Sequence, residues 1–156
     1  MKKIRIRKLW ITVAVVHWLI SLLTDTFIIT CESSAVYGIW KVLFLLFILG
    51  LYQIAGNLVY EFRSGNKAVC RILRLSGIYF LVMLIFLLLT WPGIWRVDEF
   101  GILRSAQELS LHFWQGYLTS VYYILCLMML PFPASVVLFM CVINSAVVGY
   151  LVYKLW

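Results

Sequence analysis

Residues Ile72 to Trp91 read ILRLSGIYFLVMLIFLLLTW, and beyond Arg74 the run holds no charged residue. A helix rises about 1.5 Å per residue, so roughly 20 apolar residues cross a hydrocarbon layer about 30 Å thick. Working outward, four further runs meet the same criterion: Leu9 to Thr30, Val36 to Tyr60, Leu111 to Leu130 and Ala134 to Leu155. The expected fold is all-α, a polytopic transmembrane helix bundle of about five spans forming a single domain over residues 1–156. Composition agrees: with 65% hydrophobic and 12% charged residues and a mean hydropathy of +1.03, the chain has more apolar surface than a soluble domain of this size buries.

The net charge of +7 is unevenly distributed. Lys2, Lys3, Arg5, Arg7 and Lys8 precede the first apolar run, while Arg63, Lys67, Arg71 and Arg74 stand between the second and third. Clusters at the edges of apolar runs mark membrane topology and exclude a nucleic-acid partner; both clusters are expected in the cytoplasm, with membrane lipid as their neighbour. The N-terminus is then cytoplasmic, the first span is retained rather than cleaved, and the loop over residues 92–110 faces the other side of the cell membrane. Trp10, Trp40, Trp91, Trp95 and Trp156 fall near span ends, where indoles favour the headgroup region. Cys31, Cys70, Cys126 and Cys141 show no metal-ligand spacing and read as small core or lipid-facing residues, so no metal is expected from them.

The outer loop gathers the polar chemistry. Asp98, Glu99 and Glu108 are three of only six acidic residues, and Arg96 and Arg104 accompany them. Ile102, Ala106, Leu109 and Phe113 recur at helical spacing opposite Arg104, Gln107 and Glu108, which predicts an amphipathic surface helix between the third and fourth spans. Asp98 and Glu99 can serve as a base toward an acceptor hydroxyl or bind a divalent cation; they can equally cap the helix start. His112, Trp114 and Gln115 can form a polar and aromatic wall for a sugar or phosphate headgroup, or anchor the chain at the interface. Within the spans, His17 and Asp25 are read as structural, with His17 neutral and bonded to a neighbouring helix. Gln53, Asn57 and Asn144 are expected to join helices, with Gly50 and Gly56 allowing close approach. These polar residues are too scattered for a transporter site.

The segment Trp91-Pro92-Gly93-Ile94-Trp95-Arg96-Val97-Asp98-Glu99, followed by Leu103, Ala106 and a new span, resembles the first catalytic loop of GT-C-type membrane glycosyltransferases. The likeness covers roughly Thr90 to Pro133. It implies transfer of a sugar from a polyprenyl-phosphate carrier to a cell-envelope acceptor, with Asp98 at the position of the base and Glu99 beside it. It also implies Arg96 or Arg104 near phosphate; no cofactor is expected, with a divalent cation left open as an addition. Enzymes of this kind have more spans, so the resemblance implies an N-terminal portion or truncated relative, with a protein partner completing the bundle. The alternative is a non-enzymatic accessory or assembly protein of the membrane. In a background lacking the native cysteines, Val97→Cys should react with an impermeant maleimide outside intact cells, and Lys67→Cys only after permeabilisation; the reverse pattern would reject this orientation.

Overall fold

The computed structural model describes residues 2–90, 97–111 and 116–155; among these every regular element is helical. Helix α1 covers Lys2–Thr24 and tightens into a 3-10 turn at Asp25–Phe27; α2 covers Ser34–Arg63, α3 Lys67–Leu89, α4 Val97–Gln107, α5 Tyr117–Met129 and α6 Ala134–Leu155. Four segments, Lys8–Phe27, Ser34–Arg63, Lys67–Leu89 and Ala134–Leu155, are long and apolar enough to cross a bilayer. The chain is a helical bundle of the multi-pass membrane kind.

Local chemistry sets the boundaries. Ser33 Oγ accepts a hydrogen bond from the Val36 amide, and Asn66 Oδ1 accepts from the amides of Ala68 and Val69, so each helix start has a side-chain cap. Between α2 and α3, Gly65 takes φ 78° while its amide donates to Phe62 O and the Asn66 amide donates to Glu61 O. That pair of bonds is a Schellman closure, which needs a left-handed residue and suits glycine. The same bonds close α4, from the Leu109 amide to Ala106 O and from Ser110 to Ser105 O, but here the left-handed residue is Leu109, at φ 57°. A leucine in that conformation costs about 1–2 kcal/mol. Its burial (3% exposed) and the Trp40 indole donating to its carbonyl hold it there.

Helices α1 and α2 form an antiparallel hairpin: Trp10 lies on Gly56, His17 meets Tyr52, Ser21 meets Lys41 and Asp25 meets Tyr37. Onto it pack α4 and α5, placing Ile102, Leu103, Ala106 and Leu109 in one core with Phe44, Ile48, Ile124 and Leu127. The amphipathic helix expected after the third span is α4, and its apolar face turns into protein rather than toward lipid. Two hydrogen bonds dock it on the α1–α2 hairpin: the Thr30 amide donates to Gln107 O at 2.8 Å and Trp40 Nε1 to Leu109 O at 3.1 Å. Helices α3 and α6 pair most extensively, while α2 and α3 touch little although a three-residue turn joins them.

Several sequence readings need correction. The run from Leu111 to Leu130 does not form one full span: α5 has 13 residues, about 20 Å, because Gly116 at φ 88° starts it late and Leu130 leaves the helix before Pro131. Hydropathy counts residues; it is blind to that glycine's backbone. Trp40 is buried in the core, its indole turned to protein. Gly56 does permit a close approach, but nothing lies near Gly50. Gln53, Asn57 and Asn144 make no side-chain hydrogen bond among the described residues, and Asn57 and Asn144 face away from the protein. Cys126 and Cys141 are buried and Cys31 and Cys70 half-buried, all as free thiols.

Gly149 seats α6 on α3: a Cβ there would fall 2.7 Å from the Ser76 amide nitrogen and 2.9 Å from its Cα. Backbone cannot step aside, so Gly149→Val should destabilise by roughly 1–3 kcal/mol, the usual cost of overpacking. Gly77→Ala, with no atom within 4 Å, should be neutral. Thermal unfolding in detergent, read by helix loss, tests the pair.

Candidate functional site

Trp18, Ser21 and Asp25 share one face of α1 and the turn that follows it, while Tyr37, Lys41 and Phe44 share one face of α2; the hairpin presses these faces together. Lys41 Nζ meets Asp25 Oδ2 at 2.5 Å and donates to Ser21 Oγ at 2.7 Å, while Tyr37 Oη donates to Asp25 Oδ2 at 2.9 Å. Ser21 Oγ donates to Trp18 O, and Trp18 Nε1 donates to Lys41 O, so the network closes on itself. The ammonium also stands 5.2 Å from the Phe44 ring centroid and 5.7 Å from that of Tyr37. Both charged side chains are almost wholly buried, at 4% and 3% exposure. Asp25 Oδ1 is buried with no hydrogen-bond partner among the described residues. Asp25, Thr26, Ser34 and Tyr37 border a cleft of about 370 Å³ at this end of the bundle.

Sequence reading singled out Asp25 and missed Lys41. The signal was present: a lysine within an apolar run must find an anion, snorkel to water, or bear a cost of several kcal/mol. Seven residues past the start of α2, it lies too deep for its position alone to explain, and Asp25 is the acid on the adjoining helix.

His17 does bond neighbouring helices, as expected. Its Nε2 lies 3.1 Å from Met129 O and its Nδ1 2.8 Å from Tyr52 Oη. A carbonyl only accepts, so Nε2 carries the proton and, in the neutral ring, Nδ1 accepts from Tyr52. The partner explains the residue: Met129 ends α5, and the last carbonyls of a helix have no partner within it. His17 is midway along the apolar segment Lys8–Phe27, a stretch where lipid supplies no donor, so its ring takes that carbonyl itself.

The outer-loop candidates divide. Asp98 and Glu99 occupy the first turn of α4, where carboxylates also suit the helix dipole. The Asp98 side chain lies outside the described residues, as do Arg96, His112, Trp114 and Gln115. Glu99 is half-buried on the face that carries Leu103 and Ala106, within electrostatic reach of Tyr123 on α5. Arg104 is brought to neither: five residues along α4 it points about 140° away, 83% exposed, and pairs with Glu108 at 3.4 Å. An exposed i,i+4 pair of that kind contributes only about 0.3–0.5 kcal/mol. Among the described residues no three His, Cys, Asp or Glu side chains gather closely enough to hold a metal.

Comparison with known protein families, with curated proteins and with solved structures finds no match to the chain.

The buried pair makes a sharp expectation. Lys41→Met strands the Asp25 carboxylate and should cost roughly 3–5 kcal/mol, whereas Lys41→Met with Asp25→Leu should recover most of that loss. Unfolding free energies in mixed micelles measure it; equal losses for single and double variants would show the two charges uncoupled.

Proposed function

We propose that the chain is a GT-C-like membrane glycosyltransferase, or a portion of one, that moves a sugar from a polyprenyl-phosphate carrier to a cell-envelope acceptor on the non-cytoplasmic face. One observation carries the reading. Asp98 and Glu99 stand in the first turn of a helix whose opposite end is hydrogen-bonded to the α1–α2 hairpin and whose apolar face is buried, so the backbone that carries them is held by packing. Rigid placement of a base at the reacting atom is what general-base catalysis needs. Asp98 accepts the acceptor's proton as the sugar leaves its lipid phosphate. Glu99 is half-buried within electrostatic reach of Tyr123 and serves as the neighbouring acid. Arg96 or Arg104 is the phosphate contact; Arg104 is exposed and pairs with Glu108. His112, Trp114 and Gln115, directly before the glycine that starts α5, are the wall for the sugar.

A second reading, a non-enzymatic accessory or assembly subunit, rests on a different feature. Asn144, halfway along α6, and Asn57 on α2 face outward without a hydrogen-bond partner among the described residues. An amide in hydrocarbon favours association with a polar group on another helix, by about 1 kcal/mol.

Transfer of labelled sugar from a polyprenyl carrier in reconstituted membranes separates the readings. Asp98→Asn should reduce the rate by at least about 100-fold at equal expression, the scale of a lost general base. Equal rates would remove Asp98 from the mechanism; no transfer by either protein would favour the accessory reading.

A further inference from the structure

Helices α2 and α3 separate soon after their connecting turn and enclose a groove of about 780 Å³. Its walls are Leu58, Val59 and Phe62 on α2 and Cys70, Leu73 and Arg74 on α3. All but Arg74 and the Cys70 thiol are apolar. The charge around it is one-sided: Arg63, Lys67, Arg71 and Arg74 are exposed and form no salt bridge among the described residues. The local acid, Glu61, already accepts from Asn66 Nδ2 at 3.0 Å. We infer that this groove is a binding site for an acidic diacyl phospholipid, whose acyl chains fill the gap between α2 and α3 and whose phosphate is held by Arg74 and Arg71.

Physical chemistry narrows the occupant. A gap between two spanning helices cannot hold water against leucine, valine and phenylalanine, so hydrocarbon fills it. A guanidinium pairs with phosphate through two parallel hydrogen bonds, and the low-dielectric flank of the groove screens that attraction less than open solvent would. A zwitterionic lipid brings its own cation against the four basic residues and is disfavoured. The carrier invoked for sugar transfer is not the occupant. From Trp40, against which the end of α4 is docked, to Arg63 the axis of α2 extends about 35 Å, so a phosphate held here is far from that docking point. The inference therefore does not depend on the glycosyltransferase reading.

The experiment places the protein in nanodiscs of equal phosphatidylglycerol and phosphatidylcholine, extracts it gently and counts bound lipid by native mass spectrometry. Wild type should retain phosphatidylglycerol at least five-fold over phosphatidylcholine. Arg71→Gln with Arg74→Gln should bring that ratio below two-fold, while Leu73→Trp, which fills the groove and leaves every charge in place, should expel both lipids. Maleimide labelling of Cys70 should be at least three-fold slower in phosphatidylglycerol than in phosphatidylcholine bilayers. Helix content by circular dichroism confirms that each variant folds. A wild-type ratio near one, an unchanged preference in the double glutamine variant, equal Cys70 rates in the two bilayers, or preferential retention of a polyprenyl phosphate would each overturn the assignment.

Discussion

Lys41 and Asp25 meet with both side chains almost wholly buried, and the register of the helices that carry them follows from that meeting. A charge in hydrocarbon tolerates little displacement of its counter-ion, so the pair holds α1 and α2 in register. Register in turn aims three donors from the hairpin: the Thr30 amide and the Trp40 indole toward the end of α4, and the His17 ring toward the end of α5. Each reaches a carbonyl at or just past a helix end, and such carbonyls lack partners within their own helix. The hairpin is thus the part of the molecule on which the two shorter helices are assembled.

Those shorter helices are where hydropathy and structure part company. The long apolar runs were legible because 20 lipid-compatible residues in succession leave few alternatives to a helix. The breaks were harder to see. Gly116 looks unremarkable within the Leu111 to Leu130 run, and only its backbone angle makes it the start of α5. Leu109 is the opposite case: a residue with every local reason to continue α4 that stops it, because core packing and Trp40 outweigh its backbone strain. Trp40 misled for a related reason. Its place near a span end matched an interfacial anchor, but the carbonyl that occupies its N–H belongs to a segment 69 residues away.

The polar residues divide along the same line. Asp25 stood out as an acid in an apolar run, but its meaning depended on Lys41, which the sequence leaves a whole connection away. Asp98, Glu99 and Arg104 are close in sequence, and proximity suggested a shared task. Helical geometry sends Glu99 inward and Arg104 outward, so nearness along the chain did not become nearness in space. Exposed Asn57 and Asn144 make the converse point, since a sequence shows that an amide is present and cannot show which side of the helix its partner occupies.

The ion pair also bears on how the protein enters its membrane. Delivered alone, α2 would bring an unmatched ammonium into the lipid, a step that insertion scales put at most about 2.5–3.5 kcal/mol uphill, the value for a lysine at a helix centre. Asp25 is synthesised first and reaches the translocation machinery first, so it is already at hand when Lys41 emerges. A hairpin in which the two charges already face each other carries no isolated ammonium into lipid, so the order of synthesis suits the pairing.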